Sequence, residues 1–427
     1  MILTAGGAAA GFTAVTVLAL GVAAGRPDVA VLAVPLLVTA VWAAAHRPER
    51  GARVVVRTTT GRHETGEVTA VAHVDVAPGT EAVLLRVSTQ GYRSQEALVA
   101  GDRPREVGLS LRTSRTGVHR MFRVDAMTES FGGVLVAPPT RTGPVELAVH
   151  PATRPLRELP LPFRLAGLTG GHTSRRVGDG YEFHDVHEFA PGDRIRRVDW
   201  RVSARRSLDV RTGRLGTLYA RRTFATADAT VMVVVDSRDD VGEDVSAWAG
   251  GADIRMDEIT SLDLARQAAA TIARAYLDAG DRVGLDDLGR RRRPVPPAGG
   301  RHQWERIAQR LVRVAPEGWP DKRRRAPQLP SGALVVLCST FLDDEASRMA
   351  RQWRALGHRV VAVDTLPPVR TAFLNGFQDT ALRLVLLERR QRLRALGRAG
   401  VELVSWTDHP DVGMHVLARA RLQGARR

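Results

Sequence analysis

The chain has 427 residues, too many for one ordinary core at ~100–200 residues per domain, so two or three domains are expected. Lys+Arg of 62 against Asp+Glu of 46 gives a net charge of +16, with aromatics at only 5%. A nucleic-acid face gathers basic and aromatic residues together; here the arginines are scattered, which argues against a nucleic-acid partner and for attraction to an anionic membrane surface.

Ile2 to Gly25 is a run of 24 residues without a charge. That is enough to cross a hydrocarbon core, which needs ~20 apolar residues. Arg26-Pro27-Asp28 makes a short polar turn, and Val29 to Ala45 is a second uncharged run of 17. So tight a break predicts a transmembrane helical hairpin over 1–46 with both ends on one side, and Gly7-x-x-x-Gly11 is a candidate for close helix packing. Arg47, Arg50, Arg53 and Arg57 follow the second run, whereas the turn holds only Arg26 offset by Asp28. Positive residues stay inside, so the expectation is a two-span membrane protein whose large soluble portion is cytoplasmic.

Residues 51–155 read as all-β. Arg53–Arg57, Gly66–Ala72, Ala82–Ser88 and Pro144–His150 are short β-prone runs punctuated by Gly, Pro, Asp and Thr, and an immunoglobulin-like sandwich is expected. Residues 156–228 are Arg-rich and broken by Gly and Pro. From 229 to 427 strands and helices alternate. Thr230–Val235 is an apolar strand ending at Asp236. A helix follows with Leu262, Ala265, Ala269, Ile272 and Tyr276 on one face, stopped by Gly280. Further strands are Arg282–Asp286, Ala333–Cys338, Arg359–Asp364 and Val401–Ser405. Continuous apolar strands alternating with helices predict a parallel sheet covered on both faces, with any site at its carboxyl edge near Asp236 and Ser339-Thr340. The single cysteine, Cys338, cannot form an internal disulfide and reads as a small buried core residue.

The middle segment carries four linked submotifs: Gly178-Asp-Gly180-Tyr-Glu182-Phe183; Phe189-Ala-Pro191-Gly192-Asp193; Arg196 with Val198-Asp199-Trp200; and Ser203-Ala204-Arg205, followed by Val210-Arg211. Their order and spacing closely resemble the signature of the domain of unknown function 58 family, with Val198-Asp199-Trp200 standing for that family's Ile-x-Trp. On the residues alone, Pro191-Gly192-Asp193 is a turn in which proline sets φ, glycine permits unusual torsions and aspartate bonds backbone amides. Glu182, Asp193, Arg196, Asp199 and Arg205 around a buried Trp200 are expected to form a charged network that locks this segment onto the α/β domain; a partner surface is the other reading.

The resemblance implies more. The closing domain would be similar to von Willebrand factor A domains, many of which bind Mg²⁺ through Asp-x-Ser-x-Ser. Here the matching run is Asp236-Ser237-Arg238-Asp239-Asp240, so an arginine stands at a hydroxyl-ligand position. Asp236, Asp240 and Thr340 are therefore degenerate metal candidates, with Asp343 also near, and no working metal or other cofactor is expected. His184 and His187 do not make a metal site with any further ligand, and no phosphate loop of the Gly-x-x-x-x-Gly-Lys type occurs. The resemblance implies a non-enzymatic, membrane-anchored accessory protein whose partner is a MoxR-type AAA+ ATPase. The alternative is a metal-dependent ligand-binding or adhesion module.

Overall fold

The computed structural model describes all residues except 49, 59–62, 65, 157, 166–169, 210–213, 249–253, 256, 291, 317–322, 324, 372–373 and 425–427. The chain forms two compact units, one of residues 1–150 with 250–259 and one of 151–249 with 260–427.

The first unit begins with two helices, Ala5–Ala23 and Pro27–Ala45, each long and apolar enough to cross a membrane. The first is capped by Thr4, whose hydroxyl accepts from Gly7 N. The second is interrupted at Leu32–Ala33, before Val34–Ala45, because Pro35 has no N–H for the helical ladder. The two helices meet at Gly21, not at the Gly7/Gly11 pair. A Cβ on Gly21 would lie 2.5 Å from Ala30 N, whereas Gly7 faces the carbonyl of Val134 and Gly11 has open space. Phe12, Val22, Leu32 and Val41 point outward with most of their surface uncovered, which suits hydrocarbon and not water.

The rest of this unit is mostly antiparallel β with little helix. Arg53–Thr58, Gly66–Asp75 and Arg105–Thr113 form one sheet, and Gln95–Ala100, Ala82–Ser88, Arg123–Glu129, Leu135–Val136 and Ile2–Leu3 lie side by side in another. A third sheet joins Gly117–Met121 to Val145–His150. The alternation of apolar and polar residues decides which face is inward. Val68, Ala70, Ala72 and Val74 from one sheet share a core with Val83, Leu85, Val124 and Ala126 from the second and Leu147 and Val149 from the third.

In the second unit a six-stranded sheet is built from β1 (Thr230–Val235), β2 (Arg282–Asp287), β3 (Val295–Ala298), β4 (Leu334–Ser339), β5 (Arg359–Asp364) and β6 (Glu402–Ser405). Their order is β3-β2-β1-β4-β5-β6, parallel throughout except for the antiparallel edge strand β3. That strand, Val-Pro-Pro-Ala, is tolerated only because an edge needs fewer ladder donors. Helices α1 (Ser261–Asp278) and α2 (Arg301–Val312) pack together on one face, and α3 (Asp344–Ala355) and α4 (Gly376–Arg398) on the other. A capping box of Thr260 and Asp263 starts α1. Val231–Val235 and Leu334–Cys338 are fully or almost fully buried, as strands covered on both sides must be, and burial pushes the Cys338 thiol up to about 12.

The described residues of 156–228 group with this second unit. They form a two-stranded antiparallel ribbon, His172–Glu188 against Tyr219–Ala227, which runs directly into β1.

Candidate functional site

Because β1 leads through α1 to β2 on one side while β4 lies on the other, the strand order reverses between β1 and β4. The carboxyl ends of those two strands frame the crevice where open α/β sheets place their ligands. Asp236 leaves β1 there, Ser339 and Thr340 leave β4, and Asp343 and Glu345 open α3.

The guanidinium of Arg238 fills the middle of this acidic group. Its Nε donates to Asp236 Oδ1 (2.8 Å) and its Nη2 to Asp236 Oδ2 (2.7 Å), a bidentate pair. The same Nη2 reaches Asp343 Oδ1 (3.0 Å), Nη1 pairs with Asp343 Oδ2, and Glu345 Oε2 lies 3.5 Å away. Ser339 Oγ donates to Asp236 Oδ2 (2.7 Å), and Thr340 Oγ1 to Asp239 Oδ2 (3.3 Å). The Arg238 side chain is 5% exposed. Burial works against its charge, but Asp236 and Asp343 hold its pKa above the ordinary arginine range. The cation that a carboxylate–hydroxyl cluster calls for is thus supplied by the protein itself.

Burial, with Asp236 and Asp343 nearby, pushes the Asp239 carboxyl up to about 6, although Arg238 and the Thr340 hydroxyl pull the other way. Asp287, at the end of β2, is raised first by burial; it accepts from Ser237 Oγ (2.6 Å) and Gly289 N (3.0 Å). Of the metal candidates, Asp236 and Thr340 do reach this cluster, but Asp236 binds a guanidinium and Thr340 a carboxylate; Asp240 is half-buried beside them in sequence. Among the described residues no group of three His, Cys, Asp or Glu is arranged to hold a metal ion.

The signature residues lie elsewhere, on the ribbon. Its root is fixed at the amino edge of the sheet: the buried Asp281 carboxylate accepts from Ala229 N (2.8 Å) and pairs with His172 Nε2 (2.9 Å). Gly178 and Phe183 both lie opposite Thr223, so Asp179–Glu182 bulge out of the ladder. Gly178 and Gly180 are required at this bulge, since a Cβ on either would run into Ala225 or the carbonyl of Phe224. Asp179 is tied to Arg194 (3.3 Å) and Arg197.

Beyond the bulge, the turn at Pro191-Gly192-Asp193 forms as its residues dictate. Gly192 has φ +103°, and Asp193 Oδ2 accepts from Ala190 N (2.9 Å) and pairs with His187 Nε2 (2.8 Å). Those two contacts, the backbone one first, hold the Asp193 carboxyl below its usual range. Asp199 caps the short helix Trp200–Ser207 by accepting from Val202 N (3.1 Å), and the fully buried Ser203 accepts from Tyr219 N (2.8 Å).

The network expected around a buried Trp200 is not what forms. Trp200 is 58% exposed, and Glu182, Arg196, Ala204 and Arg205 are also exposed. The pairs that form include Asp179 with Arg194 and Arg197, His187 with Asp193, and Asp199 with Arg221 (3.9 Å). With a helix of only two turns lying on a two-stranded ribbon, the described residues form no second layer over the indole. Tyr181 (99% exposed), Ile195 (74%) and Phe183 (51%) accompany it in the solvent. His184 lies beside Asp185 and edge-on to Phe224, so His184 and His187 face different partners. Val210 and Arg211 lie outside the described residues.

Comparison with known proteins agrees with the motif reading. Residues 185–373 match the model of the family described as "Protein of unknown function DUF58". This span begins within the ribbon, past the Gly178–Phe183 submotif, and runs through β1, α1 and β4 to β5. Uncharacterized proteins of Mycobacterium bovis and Mycobacterium tuberculosis are each 27% identical to the chain over 256 residues, covering 57% of this chain and 73% of theirs.

Proposed function

We propose that the chain is a membrane-anchored, non-enzymatic adaptor that recruits a cytosolic MoxR-type AAA+ ATPase, or that machine's client, through the signature ribbon. The observation that carries this reading is the exposure of Tyr181, Phe183, Ile195 and Trp200 on a ribbon whose glycines, caps and turn are otherwise fully specified. Large apolar side chains held rigidly in solvent are what a partner surface needs, and Trp and Tyr are its usual energetic anchors. The β region is read as an immunoglobulin-like sandwich and the closing sheet as a von Willebrand factor A-like domain whose cation position has been taken over by Arg238. A guanidinium seated between Asp236 and Asp343 takes up carboxylate oxygens that a divalent ion would need, which favours the adaptor over a metal-dependent adhesion module. The arginines that follow the second span support a cytoplasmic soluble portion.

The test is binding of the cognate MoxR-type ATPase to the full chain in nanodiscs, with Phe183→Ser and Ile195→Ser beside the parent. Affinity should fall at least tenfold in each variant while the melting temperature holds. Unchanged affinity in both removes the ribbon from the interface.

A further inference from the structure

A second feature at the carboxyl edge of the sheet is unrelated to the ribbon. A cavity of 610 Å³ opens beyond the end of β2, lined by Asp286, Arg292, Arg293, Arg323, Arg325 and the rings of Pro294 and Pro327. Four arginines from two loops therefore converge on one concavity, and among its described lining residues Asp286 is the carboxylate. Its size is that of a small-molecule site, which usually spans ~300–1,000 Å³.

The convergence is built. Arg323 Nη2 donates to the carbonyls of Asp287 (2.7 Å) and Arg290 (2.6 Å), so this guanidinium ties the second loop to the first. Its own backbone is held in turn: Arg323 N donates to Glu345 Oε1 (2.7 Å), and its carbonyl accepts from Arg348 Nη2 (2.9 Å). Asp286 stands 3.5 Å from Arg323 Nη1, on a guanidinium that also donates to backbone carbonyls. Arg292, Arg293 and Arg325 are exposed, so their heads meet an incoming ligand without first leaving a buried site. Like charges gathered around one concavity repel one another, and taking an anion into it relieves that repulsion.

We infer that this cavity is a binding site for a polyanionic, phosphate-bearing ligand. Guanidinium groups match phosphate oxygens with two parallel hydrogen bonds each, a geometry that carboxylates satisfy singly but a polyphosphate satisfies repeatedly. The two proline rings give the cavity a stiff apolar wall. The shared chemistry is the phosphate group, carried by a soluble polyphosphate or by the headgroup of an anionic lipid.

Calorimetry on the full chain in uncharged detergent separates these sources, with inorganic tripolyphosphate in one arm and dioctanoyl phosphatidylglycerol in the other. Saturable binding is expected in at least one arm, weakening as salt rises and falling tenfold or more in Arg292→Gln/Arg293→Gln and in Arg325→Gln. Tighter binding of tripolyphosphate assigns the site to a soluble ligand, and tighter binding of the lipid assigns it to a headgroup. Arg390→Gln, on the exposed surface of α4, serves as a charge-matched control and should bind as the parent does. No saturable binding in either arm overturns the inference. So does an equal loss in the control, which would mean that net charge, and not the cavity, does the binding.

Discussion

The carboxyl-edge cluster and the ribbon use the same residue types in opposite ways. At the cluster, the buried Asp236 and Glu345 and the half-exposed Asp343 surround the buried Arg238, and hydroxyls complete the shell. On the ribbon the charged pairs sit near the surface and hold a bulge and a turn, while the large apolar side chains are left uncovered. A cluster closed by its own cation has little left to offer a ligand. A rigid strand pair that displays Tyr181 and Trp200 has given up burial that an ordinary fold would keep. The position where topology places a ligand holds a cluster of ion pairs, and the position that looks like packing by sequence is the exposed one.

The comparison is broken most forcefully at Arg238. Removing one member of a buried charge group costs ~3–5 kcal/mol, because the remaining charges are left unpaired. Arg238→Ala should therefore lower the melting temperature of the full chain by about 10 °C, taking roughly 2–4 °C per kcal/mol. Arg238→Ser restores a hydroxyl beside Asp236 and Ser339 and should regain part of that loss when Mg²⁺ is added, since a ligand bound by the native state alone stabilises it. The parent should not respond to Mg²⁺ at all. A parent melting temperature that climbs with Mg²⁺, and no longer does so in Asp236→Ala, would show the cluster to be a working metal site.

The ribbon has its own internal weak point. Gly178→Ala places a methyl group within 2.9 Å of Ala225 Cα, and overpacking of that kind costs about 1–3 kcal/mol. The strain should stay local, so hydrogen exchange of Phe183–Glu188 and Tyr219–Phe224 should quicken while that of β1 and β4 does not. Acceleration throughout the sheet would mean that the ribbon is a working part of the core.

Much of this contrast was legible in advance, and the exceptions have physical causes. The uncharged runs, the apolar strands and Gly192 follow from composition and local conformation, and they appear where expected as Ala5–Ala23, Thr230–Val235 and a φ of +103°. The edge strand Val295–Ala298 escaped because its two prolines suppress every β signal, though an edge tolerates them. Gly21 escaped because nothing in a helix's sequence says which small residue meets the neighbouring helix; Gly7 has the motif, but it meets Val134. Arg238 was visible as a departure from a ligand pattern. That its side chain would turn inward depends on Asp343, 105 residues away. Trp200 was misread because burial of an aromatic depends on a covering layer, which no local pattern encodes.

A smaller effect sharpens the electrostatic side. The Asp239 carboxyl stands at about 6 in the native state, above the ~3.9 of an unfolded aspartate. The folded chain thus takes up this proton first, so the group opposes folding at pH 7 and its contribution becomes more favourable as pH falls through 6 toward 4. Asp239→Asn removes the charge and keeps the shape. The variant should melt above the parent at pH 7, and the gap should close by pH 4.5. A gap that stays constant over that range would assign the change to packing, not to titration.

The smallest stability effect belongs to Trp200, and it decides what the ribbon is for. If the indole were core, truncation to alanine would cost ~3–5 kcal/mol. At 58% exposure it has most of its surface in water already, and substitutions at exposed positions usually stay within ±0.5 kcal/mol. Trp200→Ala should therefore melt within about 2 °C of the parent on the scale of ~2–4 °C per kcal/mol. Binding should behave in the reverse way, because an interface anchor of this type costs 2 kcal/mol or more when truncated, roughly thirtyfold in affinity. Arg205→Ala provides the contrast within the same helix: it is exposed and lies at the last turn, where a cation interacts favourably with the helix terminus for about 0.3–1 kcal/mol. Its loss should lower the melting temperature slightly more than Trp200→Ala while disturbing the partner less. A Trp200→Ala chain that melts many degrees low would place the indole back in a packed interior, and one that melts and binds like the parent would leave the exposed aromatic face without a role.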